Sequence, residues 1–304
     1  MGASKVGDHL VTPGSQHWPR LWEHINDPPD RVHVQGDPTV LNGPCLAIVG
    51  TRRASARGLA IARALGAELA AQGWIIVSGL ALGIDGEAHR GALSVRGRSV
   101  GVMATGSDRL YPAAHRNLGH RLRENGCTLT EFGPGTPPLK HHFPRRNRLI
   151  AGMSRAVIVV EAPLKSGAML TANLALDYDR EVFAVPGPVD MISSRGCHHL
   201  LREGAHLLEN VLDVTRVLGR PESPATGSVR SPCLKTPHAP LPSPGSSARW
   251  IMDRLDLEGV SRDGLRERWP GTEASWQEGL MALELAGLIR RLPGGRVARR
   301  IWNG

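Results

Sequence analysis

Cys45-Leu46-Ala47-Ile48-Val49-Gly50-Thr51-Arg52-Arg53 is a run of apolar residues halted by a glycine and two arginines. Continuous apolar character without polar alternation fits a strand buried on both faces, as in a parallel sheet covered by helices. Beyond it, Ile61, Leu65 and Leu69 recur every four residues, with Ala60 and Ala64 beside them, the spacing of a one-sided helix. Strand, glycine turn and helix open a βαβ unit, whose crossover is right-handed. Further runs of the same kind follow at Trp74–Ser78, Ser99–Ala104, Cys127–Glu131, Ala156–Glu161 and Val182–Val185. Between two of them, Leu118 and Leu122 mark another helix, with Asn125-Gly126 as its stop signal. The alternation predicts an α/β, Rossmann-like, doubly wound and mostly parallel sheet over residues 41–218.

Outward from this domain the composition changes. Residues 1–40 form an N-terminal flanking segment in which Trp18, Leu21 and Trp22 are expected to cover one flank of the sheet. Residues 219–247 are dominated by Pro, Ser, Gly and Thr with no apolar period, which predicts a disordered linker. Residues 248–304 show apolar spacing at Ile251 and Leu255, a cap at Ser261-Arg262-Asp263, and a stripe at Leu280, Leu283 and Leu288. Ile289–Leu292, the turn Pro293-Gly294-Gly295 and Val297–Ile301 read as a hairpin, so a small C-terminal winged-helix-like domain is expected.

Lys and Arg number 37 against 28 Asp and Glu, a net charge of +9, which favours a polyanionic partner. Cys45, Cys127, Cys197 and Cys233 lie far apart, with no metal-ligand spacing, as in a reducing compartment; Cys45 and Cys127 sit beside apolar runs and are expected in the core. Met1–Val11 lacks the apolar region of a secretory signal, and no run approaches a membrane span. A cytoplasmic protein with no membrane partner is expected. Neither a G-x-S-x-G elbow, an H-E-x-x-H pair nor a Walker loop is present. The reading therefore has no catalytic residue, no cofactor and no metal; Asp85, His89 and Glu131 are its one candidate acid–base set.

Four loops at the carboxyl edge of the expected sheet carry the binding chemistry. Gly50-Thr51-Arg52 follows the first strand, where a helix N-terminus offers amide groups to anions. Gly79, in Ser78-Gly79-Leu80-Ala81-Leu82-Gly83, makes a second open turn before Asp85 caps a helix. In Leu139–Arg148, Lys140, Arg145, Arg146 and Arg148 surround Phe143 and precede or follow Asn147. Cations interleaved with an aromatic suit a single strand, held by its phosphates and by base stacking. Pro144 fits the first turn of a helix, and cations there oppose the helix dipole, a conflict that a bound anion would remove. Lys165-Ser166-Gly167 supplies the fourth loop. A rim of this kind follows phosphates and weakens as salt rises.

At these residues the chain resembles the DprA (Smf) DNA-processing family. The resemblance runs through Ala47–Arg52, Ser78–Ala81, Gly83-Ile84-Asp85, Ala88–Leu93, Tyr111-Pro112, Phe143-Pro144, Arg146-Asn147-Arg148, Ser166-Gly167, Thr171-Ala172, Arg180–Val182 and Val185-Pro186-Gly187. Leu283-Glu284, Gly287-Leu288-Ile289 and Pro293-Gly294-Gly295 extend it into the C-terminal module. It implies an extended Rossmann fold that binds single-stranded DNA, delivers it to the RecA recombinase in natural transformation, and works as a homodimer. It also implies DNA contacts at Arg52 and Lys140 and stacking at Phe143, residues already singled out by their chemistry. Leu82 stands where the family usually has arginine, and His198 where it usually has asparagine; no sterile-motif-like domain is expected in the 40 residues ahead of the first strand. Two rival functions are compatible with the same loops and module: a sensor or enzyme for a nucleotide-derived ligand, and a protein-binding adaptor working through its C-terminal module.

Overall fold

The computed structural model describes residues 7–221, 243, 245–255, 259–285, 288–292 and 295–299. The chain divides into two compact units, Met1–Thr226 and Gly227–Gly304. In the first unit the strands are β1 (Asp8–Val11), β2 (Val32–Gly36), β3 (Cys45–Val49), β4 (Ile75–Ser78), β5 (Ser99–Val102), β6 (Gly126–Thr130), β7 (Ala156–Val159), β8 (Glu181–Ala184) and β9 (His206–Leu207). The helices between and after them are α1 (Ala56–Ala71), α2 (Ile84–Ser94), α3 (Arg116–Glu124), α4 (His142–Met153), α5 (Gly167–Asp177), α6 (Arg195–Arg202) and α7 (Val211–Leu218).

Every residue of β3 to β7 is buried, which is why these segments read as unbroken apolar runs. The sheet order is β1-β2-β6-β5-β4-β3-β7-β8-β9. From β6 to β9 all neighbours pair in parallel, and β1 and β2 add on antiparallel beyond β6. The chain winds outward from β3 through β4 and β5 to β6, then crosses back to β7 on the other side of β3. The loops after β3 and β7 therefore part in opposite directions, and a crevice opens between them at the carboxyl ends of the strands.

The residues ahead of β3 do more than flank. Val32 and Val34 of β2 are buried while His33 and Gln35 are half-exposed, a period-2 strand against β6. Trp18 and Trp22 pack edge-to-face, 5.1 Å between ring centres, and the Trp22 indole donates to the Leu149 carbonyl at 3.2 Å. This anchors the N-terminal segment on α4. Gly126 is the first residue of β6, paired with Ser99, and Asn125 alone closes α3. Cys45, Cys127 and Cys197 are free and buried, and burial pushes the Cys45 thiol up to about 12. Cys233 and most of the expected linker lie outside the described residues.

The second unit contains α8 (Ser247–Met252), β10 (Val260–Ser261), α9 (Arg262–Glu267), α10 (Glu273–Leu285), β11 (Ile289–Leu292) and β12 (Arg296–Arg299). Ser261 caps α9 as its spacing predicts, accepting from the Gly264 amide at 3.3 Å. The expected hairpin is the β11–β12 pair, and β10 joins β12 as a third, unanticipated strand. Ile251, Trp276, Leu280, Leu283, Leu288 and Val297 form a core of its own. The Pro293-Gly294 part of the turn lies outside the described residues. Among the described residues, no helix is long and apolar enough to cross a membrane.

Candidate nucleic-acid interface

The crevice between the β3 and β7 loops is a cleft of about 360 Å³. The β3 loop lines it with Gly50, Thr51, Arg52 and Arg53, the β4 loop and the start of α2 with Ala81 and Asp85, and the β7 loop and the start of α5 with Ser166, Gly167 and Thr171. From α4 come Phe143, Arg146, Asn147 and Ile150, spaced i, i+3, i+4 and i+7, so one stripe of that helix faces the cleft. Ten of the sequence-predicted positions meet at or beside this one lip: nine line this cleft or its small neighbour, and Lys165 abuts Ser166 in the β7 loop. Lys140, the eleventh, is exposed in the turn just before α4 and does not line the cleft.

The β3 loop is braced from behind. Its Thr51 amide donates to the Glu161 carbonyl at 2.7 Å, and its Thr51 carbonyl accepts from the Ile84 amide at 3.3 Å. Gly83, at φ +79°, lets the two loops touch; a Cβ there would stand 2.3 Å from the Thr51 oxygen. The buried Glu161 carboxylate accepts from the Ser55 amide at 3.1 Å and the Ser55 hydroxyl at 2.9 Å. Ser55 in turn caps the Gly58 amide at 3.0 Å. The start of α1, which the sequence offers to a phosphate, already holds a carboxylate of the protein. Sequence reasoning missed Glu161 because it closes an apolar run, two residues past β7, and carries no motif.

The β4 loop is fixed by a buried pair of charges. Asp85 accepts from the Gly79 amide at 3.0 Å and the Ala81 amide at 3.4 Å. Arg146 donates to the Gly79 carbonyl at 2.6 Å and also to the Val102 carbonyl. Its guanidinium fills the space where a side chain on Gly79 would lie, 2.5 Å from that Cβ position. Burial pulls the Arg146 pKa down to about 10, Arg52 adds to this, and Asp85 opposes it. Burial likewise raises Asp85, against the attraction of Arg146 and the two loop amides.

Arg146 was expected to hold phosphate on the surface; it is 4% exposed and spends its donors on the protein. Arg145 and Arg148 are committed too. Both reach the Glu131 carboxylate, at 3.0 Å and 2.5 Å, and Arg148 also pairs with Asp27 at 3.2 Å. The conflict between these cations and the α4 dipole is thus relieved internally by Glu131, where a bound anion was expected to do so. Of the four cations in the segment, Lys140 alone is exposed with no ion pair.

Arg52 is exposed at the lip, its guanidinium carbon 4.9 Å from the centre of the Phe143 ring. That contact is in the range of a cation–π pair and orients both groups. Arg53 and Lys165 are also exposed. Ser166 caps α5, accepting from the Met169 amide at 3.4 Å, and Asn147 donates to the Gly167 carbonyl at 3.2 Å, which ties the β7 loop to α4.

Asp85, His89 and Glu131 are not brought together. Asp85 is taken by loop amides and Glu131 by two arginines. His89 is fully buried and donates from Nδ1 to the Ser99 hydroxyl at 2.8 Å, whose own proton goes to the Ile76 carbonyl. Burial holds its pKa down at about 3, with His115 and Arg146 adding to the effect. Among the described residues, no group of His, Cys, Asp and Glu side chains could hold a metal ion.

Comparison with known proteins identifies relatives that share the sequence and the fold. Protein Smf of Escherichia coli is 38% identical over 300 residues, covering 96% of this chain and 78% of its own length. The X-ray structure of DNA processing protein A from Streptococcus pneumoniae superposes with a TM-score of 0.67 and 38% identity, over 69% of this chain and 74% of that one. The structure of DNA processing protein A from Helicobacter pylori, reported for its unique single-stranded DNA binding mode, gives a TM-score of 0.63 and 32% identity over 71% of this chain and 98% of that one. The family model for DNA recombination-mediator protein A matches residues 9–219, from within β1 to the end of α7, the whole unit that carries the cleft. On that span and those likenesses, the chain belongs to the DNA recombination-mediator protein A family.

Proposed function

We propose that this chain binds single-stranded DNA without sequence preference across the β3–β7 cleft. In this reading it acts in the cytoplasm as a non-catalytic homodimer that hands the strand to the RecA recombinase in natural transformation. The observation that carries the DNA site is Arg52, exposed at the switch point and stacked on Phe143. A guanidinium beside an aromatic face offers a phosphate contact and a stacking surface at one place. Arg52, Lys140 and Lys165 hold phosphates and the amides of Gly50, Ser166 and Gly167 approach the backbone; the Thr51 and Gly79 amides, already bonded to the Glu161 carbonyl and to Asp85, hold the loops in position with Asn147 and Arg146. The Helicobacter pylori relative, whose reported subject is single-stranded DNA binding, supports the ligand. Hand-over to RecA, the homodimer and the absence of catalysis rest on family membership. The C-terminal unit is read as winged-helix-like and as a protein contact or regulatory module, since α10 carries no Lys or Arg.

The nucleotide-ligand reading is disfavoured by Glu161, whose carboxylate stands at the α1 start where a nucleotide phosphate would be expected. Titrating oligo-dT of increasing length at two salt concentrations tests the proposal. Binding should tighten until the cleft is spanned and weaken with salt, with a log–log slope of about −0.7 per phosphate neutralised. Affinity that ignores salt would remove phosphate tracking. A melting temperature raised by a mononucleotide at millimolar concentration but not by oligo-dT would favour the nucleotide reading.

A further inference from the structure

We propose that Tyr111, with Leu82 beside it, is a second base-stacking site next to Phe143, so that the interface receives two successive bases of one strand. The inference rests on the single-strand reading above and adds residues to it.

Large apolar groups are usually buried or scattered singly, and a pair of them exposed at one functional lip calls for a ligand. Tyr111 is 41% exposed and Leu82 44% exposed. They line one small hollow of about 50 Å³ together with Arg52 and Phe143, which belong also to the main cleft. The hollow is therefore continuous with the phosphate-binding lip. Its walls are an aromatic ring, an aliphatic side chain and a cation, which suits a flat polarisable ring carried on an anionic backbone.

Ring geometry sets the number of bases. The Tyr111 and Phe143 centres are 6.1 Å apart with the planes tilted by 59°. Sandwiching one base requires parallel rings, so these two present separate faces to separate bases.

Both supports are fixed before any ligand arrives. His115, four residues beyond Tyr111, donates from Nδ1 to the Leu80 carbonyl at 2.9 Å; the carbonyl can only accept, so this nitrogen carries the proton. That bond joins the Tyr111 loop to the β4 loop two residues before Leu82. Arg146 secures the same β4 loop through the Gly79 carbonyl. At the base of the Tyr111 loop, the Thr105 hydroxyl donates to the Arg109 carbonyl at 2.6 Å. A site built on braced loops loses little freedom on binding.

The test compares Tyr111→Ala and Tyr111→Phe with the wild-type chain on oligo-dT and on an abasic oligonucleotide of equal length at one salt concentration. Stacking predicts that Tyr111→Ala weakens oligo-dT binding about fivefold to a hundredfold. Abasic binding should stay unchanged, and Tyr111→Phe should keep wild-type affinity for both. Undiminished oligo-dT binding by Tyr111→Ala, or an equal loss on both ligands, overturns the proposal while leaving the single-strand reading in place. A wild-type chain that binds neither oligonucleotide overturns both.

Discussion

Lys140, Arg145, Arg146 and Arg148 lie close in sequence, yet their neighbours give them three different duties. Arg145 and Arg148 neutralise Glu131, Arg146 holds two loop carbonyls, and Lys140 stands free at the surface. Counting charge identified the segment but could not divide it, because a buried guanidinium and a solvated one look alike in a sequence. The legible signal was the aromatic: Phe143 among cations marked the lip, and the Arg52 guanidinium, from a distant part of the chain, lies over its ring. The division has opposite consequences in substitution. Arg146→Ala strips donors from two buried carbonyls and leaves Asp85 without its counter-charge, so stability should fall by on the order of 3 kcal/mol in urea unfolding. Lys140→Ala should leave the unfolding midpoint unchanged, weaken oligo-dT binding, and lower the salt slope by close to the contribution of one phosphate. Should the two variants behave alike in unfolding, Arg146 does not have the structural part assigned here.

The parallel elements were readable because burial on both faces leaves no alternation to misinterpret; β3 begins and ends where its apolar run does. β2 was harder. Its pattern Val32-His33-Val34-Gln35 alternates correctly, but it is short and follows the proline-containing stretch at Pro28-Pro29. β1 is exposed along most of its length, so it offers no hydrophobic period at all. Contacts between loops were the least legible, since nothing in Ser78–Gly83 announces that its last glycine touches Thr51. That contact can be tested directly. Gly83→Ala places a methyl against the Thr51 carbonyl at a positive φ, which should cost about 1–3 kcal/mol of stability. By displacing the β3 loop it should also weaken oligo-dT binding, whereas alanine at Gly133, where a Cβ meets nothing within 4 Å, should do neither. Calorimetric melting and fluorescence anisotropy of a labelled oligonucleotide read the two effects.

For the molecule as a whole, all the binding residues proposed here belong to the first unit, whose core, among the described residues, includes none from the second. A chain ending at residue 226 should therefore fold cooperatively and bind oligo-dT within about twofold of the full-length affinity at equal salt, a difference well under the tenfold that 1.4 kcal/mol represents. A large loss on truncation would mean that the C-terminal unit supplies part of the binding surface. The sheet itself ends in two poor margins. β9 has only the two residues His206 and Leu207, and β1 offers a short outer ladder beginning at Asp8. Exposed strand margins are where chains zip together through their main-chain groups, and brevity blunts that tendency. Two copies of this protein meeting edge to edge would thus find only four residues of β1 or two of β9 to pair, too little main chain to template a runaway β-polymer.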